Sequence, residues 1–97
     1  MKTLDEIRRL LEANKKRLGR SYGIKEIGIF GSFVKGLHNK RSDIDILIEF
    51  EKPIGLFAFV RLKLELSELL GCPVDLVMKT ALKPRISQKI LSEVIYV

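Results

Sequence analysis

Nine residues, Ser42-Asp43-Ile44-Asp45-Ile46-Leu47-Ile48-Glu49-Phe50, constrain this chain more than any other stretch. Ile44, Ile46, Ile48 and Phe50 alternate with Asp43, Asp45, Leu47 and Glu49, the period of a strand that buries one face. Aspartate is depleted in strands, and residues i and i+2 point the same way. Asp43 and Asp45 would stand roughly 6–7 Å apart at their bases, with a repulsion on the order of 2 kcal/mol at an effective dielectric of about 20. The isoleucines pin the register, so the acids cannot escape by a one-residue slip. A divalent cation relieves the repulsion, and hard oxygen donors of this kind suit Mg²⁺ or Mn²⁺. Taken alone, the pattern also fits a plainer reading, in which Asp43 ends a loop and Asp45 faces solvent.

Upstream, Ile27, Ile29 and Phe30 form a short strand that stops at Gly31-Ser32, with Phe33-Val34-Lys35-Gly36 following. A strand–Gly–helix turn presents backbone N–H groups and positive dipole potential to an anion. Gly31 would let a phosphate approach, Ser32 adds a hydroxyl donor and Lys35 a point charge. No GxxxxGK[ST] loop occurs, so this is not a Walker turn. Downstream, Asp75 interrupts a further apolar strand, Val74–Met78, and joins the first two acids if the strands are neighbours. Three strand carboxylates beside a phosphate-cradling turn suit two-metal phosphoryl or nucleotidyl transfer.

The rest of the chain reads as framework. Thr3 to about Leu18 is an amphipathic helix with Leu4, Ile7, Leu11 and Leu18 on one stripe, a Thr3/Glu6 capping spacing, and Gly19 and Gly23 at its end. Leu56–Leu70 is a second helix, apolar around much of its circumference and closed by Gly71 and Pro73. A last helix opens at Pro84, with Ile86, Ile90, Leu91, Val94 and Ile95 on one face. The order is α-β-(turn, short helix)-β-α-β-α, an α/β or α+β domain with a small sheet flanked by helices. With 97 residues the chain is read as a single domain, 1–97.

Net charge is +6, from 18 Lys and Arg against 12 Asp and Glu, which favours anionic partners. The excess sits mostly in residues 1–23, with seven basic and three acidic side chains. A lone cysteine, Cys72, excludes an internal disulfide and a cysteine-based zinc site. No apolar run approaches a membrane span, and the N-terminus is no signal peptide, so the expected compartment is the cytoplasm.

Gly31-Ser32, ten residues, then Asp43-Ile44-Asp45 is the GSx10DxD signature of the DNA polymerase β-like nucleotidyltransferase superfamily. FGSFVKG…SDIDILIEF, LGCPVDLV and the LKPRI…EVIYV ending resemble its minimal nucleotidyltransferase (MNT) branch, the antitoxin partners of HEPN-domain toxins in prokaryotes. The resemblance spans nearly the whole chain. It implies that Gly31, Ser32 and Lys35 contact the triphosphate of ATP, that Asp43 and Asp45 hold two Mg²⁺ or Mn²⁺ ions, and that Asp75 completes the catalytic carboxylates, either as a further metal ligand or as a base that helps deprotonate the attacking hydroxyl. It also implies a protein adenylyltransferase of type VII antitoxin function, moving AMP to a tyrosine hydroxyl of a HEPN toxin. Lys35 departs from the usual Arg and loses a bidentate fork while keeping the charge. Arg41 stands where the family often has an acid.

Two other functions fit the residues. The chain could mask its partner by binding alone, with a vestigial site, or it could modify RNA through its basic first helix. Polymerases and tRNA-modifying relatives need further domains to grip nucleic acid, so the acceptor is expected on another chain; a homo-oligomer is open. Leu56, Phe57, Phe59 and Val60 either supply part of that interface or fill the core. His38, Cys72, Tyr22 and Tyr96 read as a solvated loop residue, a small buried residue and two packing residues. Lys79, Lys83 and Arg85 are left between steering an anion and simple solvation.

Overall fold

The computed structural model describes residues 2–37 and 43–97. His38, Arg41 and Ser42, singled out above, lie outside the described residues. Helix α1 spans Leu4–Tyr22 and buries Ile7, Leu11 and Leu18. Thr3 caps its start, its hydroxyl accepting from the Glu6 N–H at 3.2 Å. The helix runs through Gly19 and stops at Gly23, whose φ of 69° supplies the left-handed cap. Strand β1, Ile24–Phe30, follows at once and so begins three residues earlier than its apolar pattern alone marks.

Strand β2 covers Ile44–Phe50, helix α3 Leu56–Leu70 and strand β3 Val74–Met78. A 3₁₀ turn at Lys79–Ala81 leads to helix α4, Pro84–Glu93, and to the short strand β4, Ile95–Tyr96. The strands form one mixed sheet in the order β3-β2-β1-β4. β1 is antiparallel to β2 and to β4, whereas β2 and β3 run parallel. The expected α+β class with a small mixed sheet is what the molecule has.

Strand alternation splits the residues between two faces. Ile27, Ile29, Ile44, Ile46, Ile48, Val74 and Leu76 join Ile7, Leu11 and Leu18 of α1 and Leu62, Leu66 and Leu70 of α3 in one core. Asp45 and Asp75 lie on the other face of the sheet. The helix α3 serves as the crossover that a parallel pair requires. Gly71 ends it with φ 72°, and Ser67 Oγ accepts the Val74 N–H at 3.2 Å, which fixes where β3 begins.

One expectation about the C-terminus is corrected. Val94 and Ile95 do not extend the last helix: α4 ends at Glu93, and Ile95–Tyr96 pairs with Gly28–Ile29 of β1. The cause is Gly28. A Cβ there would lie 2.6 Å from Val94 Cγ2 and 3.1 Å from the Ile95 carbonyl, so the bare glycine lets the tail close on the sheet. Val97 N–H completes the seam by donating to the Ile27 carbonyl at 2.9 Å.

Candidate active site

The site is assembled where β1 ends and where β2 and β3 begin. Asp45 and Asp75 are each the second residue of their strand and stand opposite each other in the parallel register. The Ile44 N–H donates to the Pro73 carbonyl at 2.9 Å and locks the two strand starts side by side. Asp43 is not inside the strand, as its alternation had suggested, but one residue ahead of it and exposed. Its charge still reaches Asp45.

Asp45 is half-buried, and its carboxyl is pushed up to about 6. Burial contributes most, followed by the negative charges of Asp75 and Asp43 and a hydrogen bond between Asp45 and Asp75. The Ser32 N–H opposes this by donating to the Asp45 carboxylate. Four of the residues singled out in the sequence (Ser32, Asp43, Asp45 and Asp75) are thus within electrostatic reach of one another. Among the described residues no three acidic, histidine or cysteine side chains are already gathered closely enough to enclose a metal ion.

Gly31 closes the arrangement. Its φ of 78° and ψ of −149° belong to a region that only glycine enters readily. A Cβ at this position would come within 2.9 Å of Asp45 Cγ and would overlap Oδ2. The close approach expected for a phosphate is therefore already used by an acid of the site. After Gly31, Ser32–Lys35 forms the short helix α2, held at its start by the Val34 and Lys35 N–H groups donating to the Gly31 carbonyl at 3.1 and 3.2 Å.

Lys35 sits one turn beyond Ser32 and is exposed, with its Nζ 3.1 Å from Glu93 Oε1 at the end of α4. Lys79 is neither a free steering charge nor merely solvated. It binds Glu26 at 3.2 Å and lies 5.7 Å from the Tyr96 ring centre, which staples β4 to β1. Tyr22 donates its hydroxyl to Glu65 at 2.6 Å, and Arg17 pairs with the same carboxylate at 2.7 Å. Burial pushes the Cys72 thiol up, which disfavours the nucleophilic thiolate.

Residues 7–97 match the nucleotidyltransferase domain family. A minimal nucleotidyltransferase of known structure superposes with a TM-score of 0.83 at 36% identity, over 97% of this chain and 95% of the other. The chain belongs to the minimal nucleotidyltransferases. As a member of that family it is an enzyme of the nucleotidyl-transfer class. This minimal nucleotidyltransferase is 48% identical to the protein adenylyltransferase MntA of Thermococcus cleftensis, over all of this chain and 98% of the relative. A Methanocaldococcus jannaschii relative, also named as a protein adenylyltransferase, is 42% identical over the full length of both. A toxin–antitoxin complex with AMP-PNP contains a chain that matches at 25% identity and a TM-score of 0.70, over 95% of this chain and 69% of the other.

Gly28 and Glu93 escaped the reading of the sequence. A glycine inside an otherwise apolar strand is the signal that would have found the first. Glu93 carries no local signal, because its partner Lys35 is far away along the chain.

Proposed function

We propose that this minimal nucleotidyltransferase transfers AMP from ATP to a tyrosine hydroxyl of a HEPN-domain toxin and so acts as its antitoxin. The observation that carries the reading is the in-register Asp45–Asp75 pair facing the Gly31-Ser32 turn. The bond formed joins the acceptor oxygen to the α-phosphorus, and the bond broken releases pyrophosphate. The Ser32 hydroxyl and Lys35 bind the triphosphate, and Lys35 leaves Glu93 to do so. Asp75, exposed at the edge of the pair, can take the proton from the incoming hydroxyl.

A divalent cation fits this donor set. Asp45 is raised to about 6 by burial and then by the negative charges of Asp75 and Asp43, a concentration of charge that a cation would neutralise, and oxygen donors of this kind suit Mg²⁺ or Mn²⁺. Asp43, Asp45 and Asp75 would hold it. When bound, it supplies charge neutralisation for the phosphates and orientation of the attacking and leaving oxygens. Names and complexes of relatives, an adenylyltransferase at 48% identity and a toxin–antitoxin pair with AMP-PNP, support ATP as the donor and a toxin as the acceptor.

The RNA reading loses support from the fold. Helix α1, with most of the excess charge, packs on the face of the sheet opposite to Asp45 and Asp75. The test is incubation with ATP, Mg²⁺ and the HEPN partner, followed by intact mass spectrometry of the partner. One or more added AMP masses are expected, and none with Asp43→Asn/Asp45→Asn. No added mass with the wild type, where the two proteins bind, defeats the enzymatic reading. A double variant that still neutralises the toxin fully assigns the antitoxin role to binding alone.

A further inference from the structure

The sheet β3-β2-β1-β4 has two outer edges, and the chain treats them differently. The β4 edge is two residues long, with the Lys79 ammonium over its Tyr96 ring. Short strands and lysines are common means of keeping an edge from pairing. The β3 edge has neither. Val74-Asp75-Leu76-Val77-Met78 keeps an unbroken register with β2 over all five residues and contains no lysine, proline or bulge.

In a parallel ladder alternate residues turn their peptide groups to the same neighbour. The Ile44 N–H donates to the Pro73 carbonyl, so Asp75 and Val77 serve β2, whereas Val74, Leu76 and Met78 turn outward. Ser67 Oγ of α3 accepts the Val74 N–H. The N–H groups of Leu76 and Met78 have no such partner among the described residues. Leu76 thus offers both a donor and an acceptor, the pair that an added strand takes.

The chemistry of the site selects which strand. The Gly31-Ser32 turn at the end of β1, Asp45 on β2 and Asp75 on β3 follow one another across the sheet. With the triphosphate tail on the Ser32 and Lys35 side, in-line displacement brings the acceptor oxygen from the opposite side, past Asp75. That is the side of the free edge. A strand added there runs about 4.8 Å from β3. Its residue beside Asp75 points to the same face as that acid, so an aromatic side chain leans over Asp75 toward Asp45. Three residues along, at Met78, alternation turns a side chain to the other face. A cavity of about 320 Å³ opens there, with Ile48, Phe50, Pro53, Ile54 and Met78 in its wall. The exposed Leu56, Phe57 and Val60 of α3 offer no such route, because α3 packs on the face of the sheet away from both acids. Phe59, grouped with them in the sequence, packs on the core.

We propose that the outer edge of β3 is the docking site of the acceptor. An extended segment of the partner pairs with Leu76 and Met78, sets its hydroxyl-bearing residue beside Asp75, and seats an apolar side chain three residues away in the cavity. The inference rests on the proposed AMP transfer and adds that the substrate is recognised through its backbone. A helix cannot pair with this edge, so the acceptor hydroxyl is reached only in an extended stretch of the partner.

The experiment follows amide hydrogen exchange of the full chain by NMR, with Mg²⁺, the HEPN partner and α,β-methylene-ATP, whose α–β linkage does not break. The Leu76 and Met78 amides are expected to exchange ~10-fold more slowly, or slower still, in the complex than in the nucleotide-bound protein alone. Met78→Pro removes one donor at an edge position where proline is tolerated, and Met78→Leu keeps it. In transfer assays with ATP, Met78→Pro should raise the KM for the partner ~10-fold with kcat little changed, and Met78→Leu should restore it. Ile54→Ser, in the cavity, should raise that KM several-fold. AMP transfer to a partner whose complex leaves the Leu76 and Met78 amides unprotected overturns the docking edge and leaves the proposed function standing. An unchanged KM in Met78→Pro does the same, and one in Ile54→Ser overturns the part given to the cavity. If both amides are already slow in the free protein and it sediments as a dimer, the added strand is a second copy and the proposal fails. If the wild type transfers no AMP to a partner that it binds, the proposed function fails first, and this inference with it.

Discussion

Asp45 and Asp75 are partner residues of two parallel strands, and one carboxyl hydrogen-bonds to the other across the pair. A shared hydrogen bond between two acids needs a proton, and Asp45, raised from 3.8 to about 6, is the one that keeps it. The folded protein therefore binds more protons than the unfolded chain between those values. Asp45 stabilises the fold below about pH 4, and that contribution is lost as pH rises through 6. Asp45→Asn is expected to raise the stability of the metal-free protein at pH 8 by about 1 kcal/mol, the shift being discounted for partial exposure, and to change it little at pH 4. Thermal melts across this range check the sign, and Mg²⁺ should flatten the wild-type profile.

Gly31→Ala places a methyl group against the Asp45 carboxylate at a φ of 78°. Strain of this type costs about 1–3 kcal/mol. The steric part disappears when Asp45 is shortened, so Gly31→Ala should destabilise an Asp45→Ala background less than the wild type. Denaturant melts of the four proteins in a double-mutant cycle measure the difference.

Gly28→Ala should pry β4 from β1, since the new methyl would meet Val94 and the Ile95 carbonyl. The expected cost is about 1–3 kcal/mol, with exchange of the Val97 amide, which donates to Ile27, rising ahead of global unfolding. Hydrogen exchange by NMR reads this amide directly.

Glu93→Gln removes the partner of Lys35 in a pair that is partly exposed on both sides. Stability should change by less than about 1 kcal/mol. ATP should bind somewhat more tightly, because Lys35 no longer has to leave a carboxylate, and Lys35→Ala should bind it more weakly. Nucleotide titration of the three proteins distinguishes this competition from a purely structural pair, for which both variants would leave ATP affinity unchanged.

Most of the site could be read from residues that violate local preference. Asp45 and Asp75 stand out because acids interrupt apolar strands, and Gly31-Ser32 because a strand ends abruptly. Their neighbourhood could not be read, since the β2–β3 pairing depends on how α3 folds back over the sheet. The bulk of the framework followed from periodicity. The tail did not: Val94 and Ile95 continue the helical spacing, and only the vacancy above Gly28, remote in sequence, turns them into strand. The exposed side of α3 was ambiguous for a related reason. Apolar residues all around a helix do not say which arc meets the core until the sheet is in place.

A tight hairpin brings antiparallel neighbours together locally, but β2 and β3 run in the same direction and have no such shortcut. The chain must leave β2 at its far end, travel the length of α3 and re-enter beside its own starting point. Asp45 and Asp75 thus become neighbours only after that return journey is complete. A molecule in which β1 and β2 have paired but the return has not happened carries half of the proposed catalytic pair, and no reaction that needs both acids can start on it.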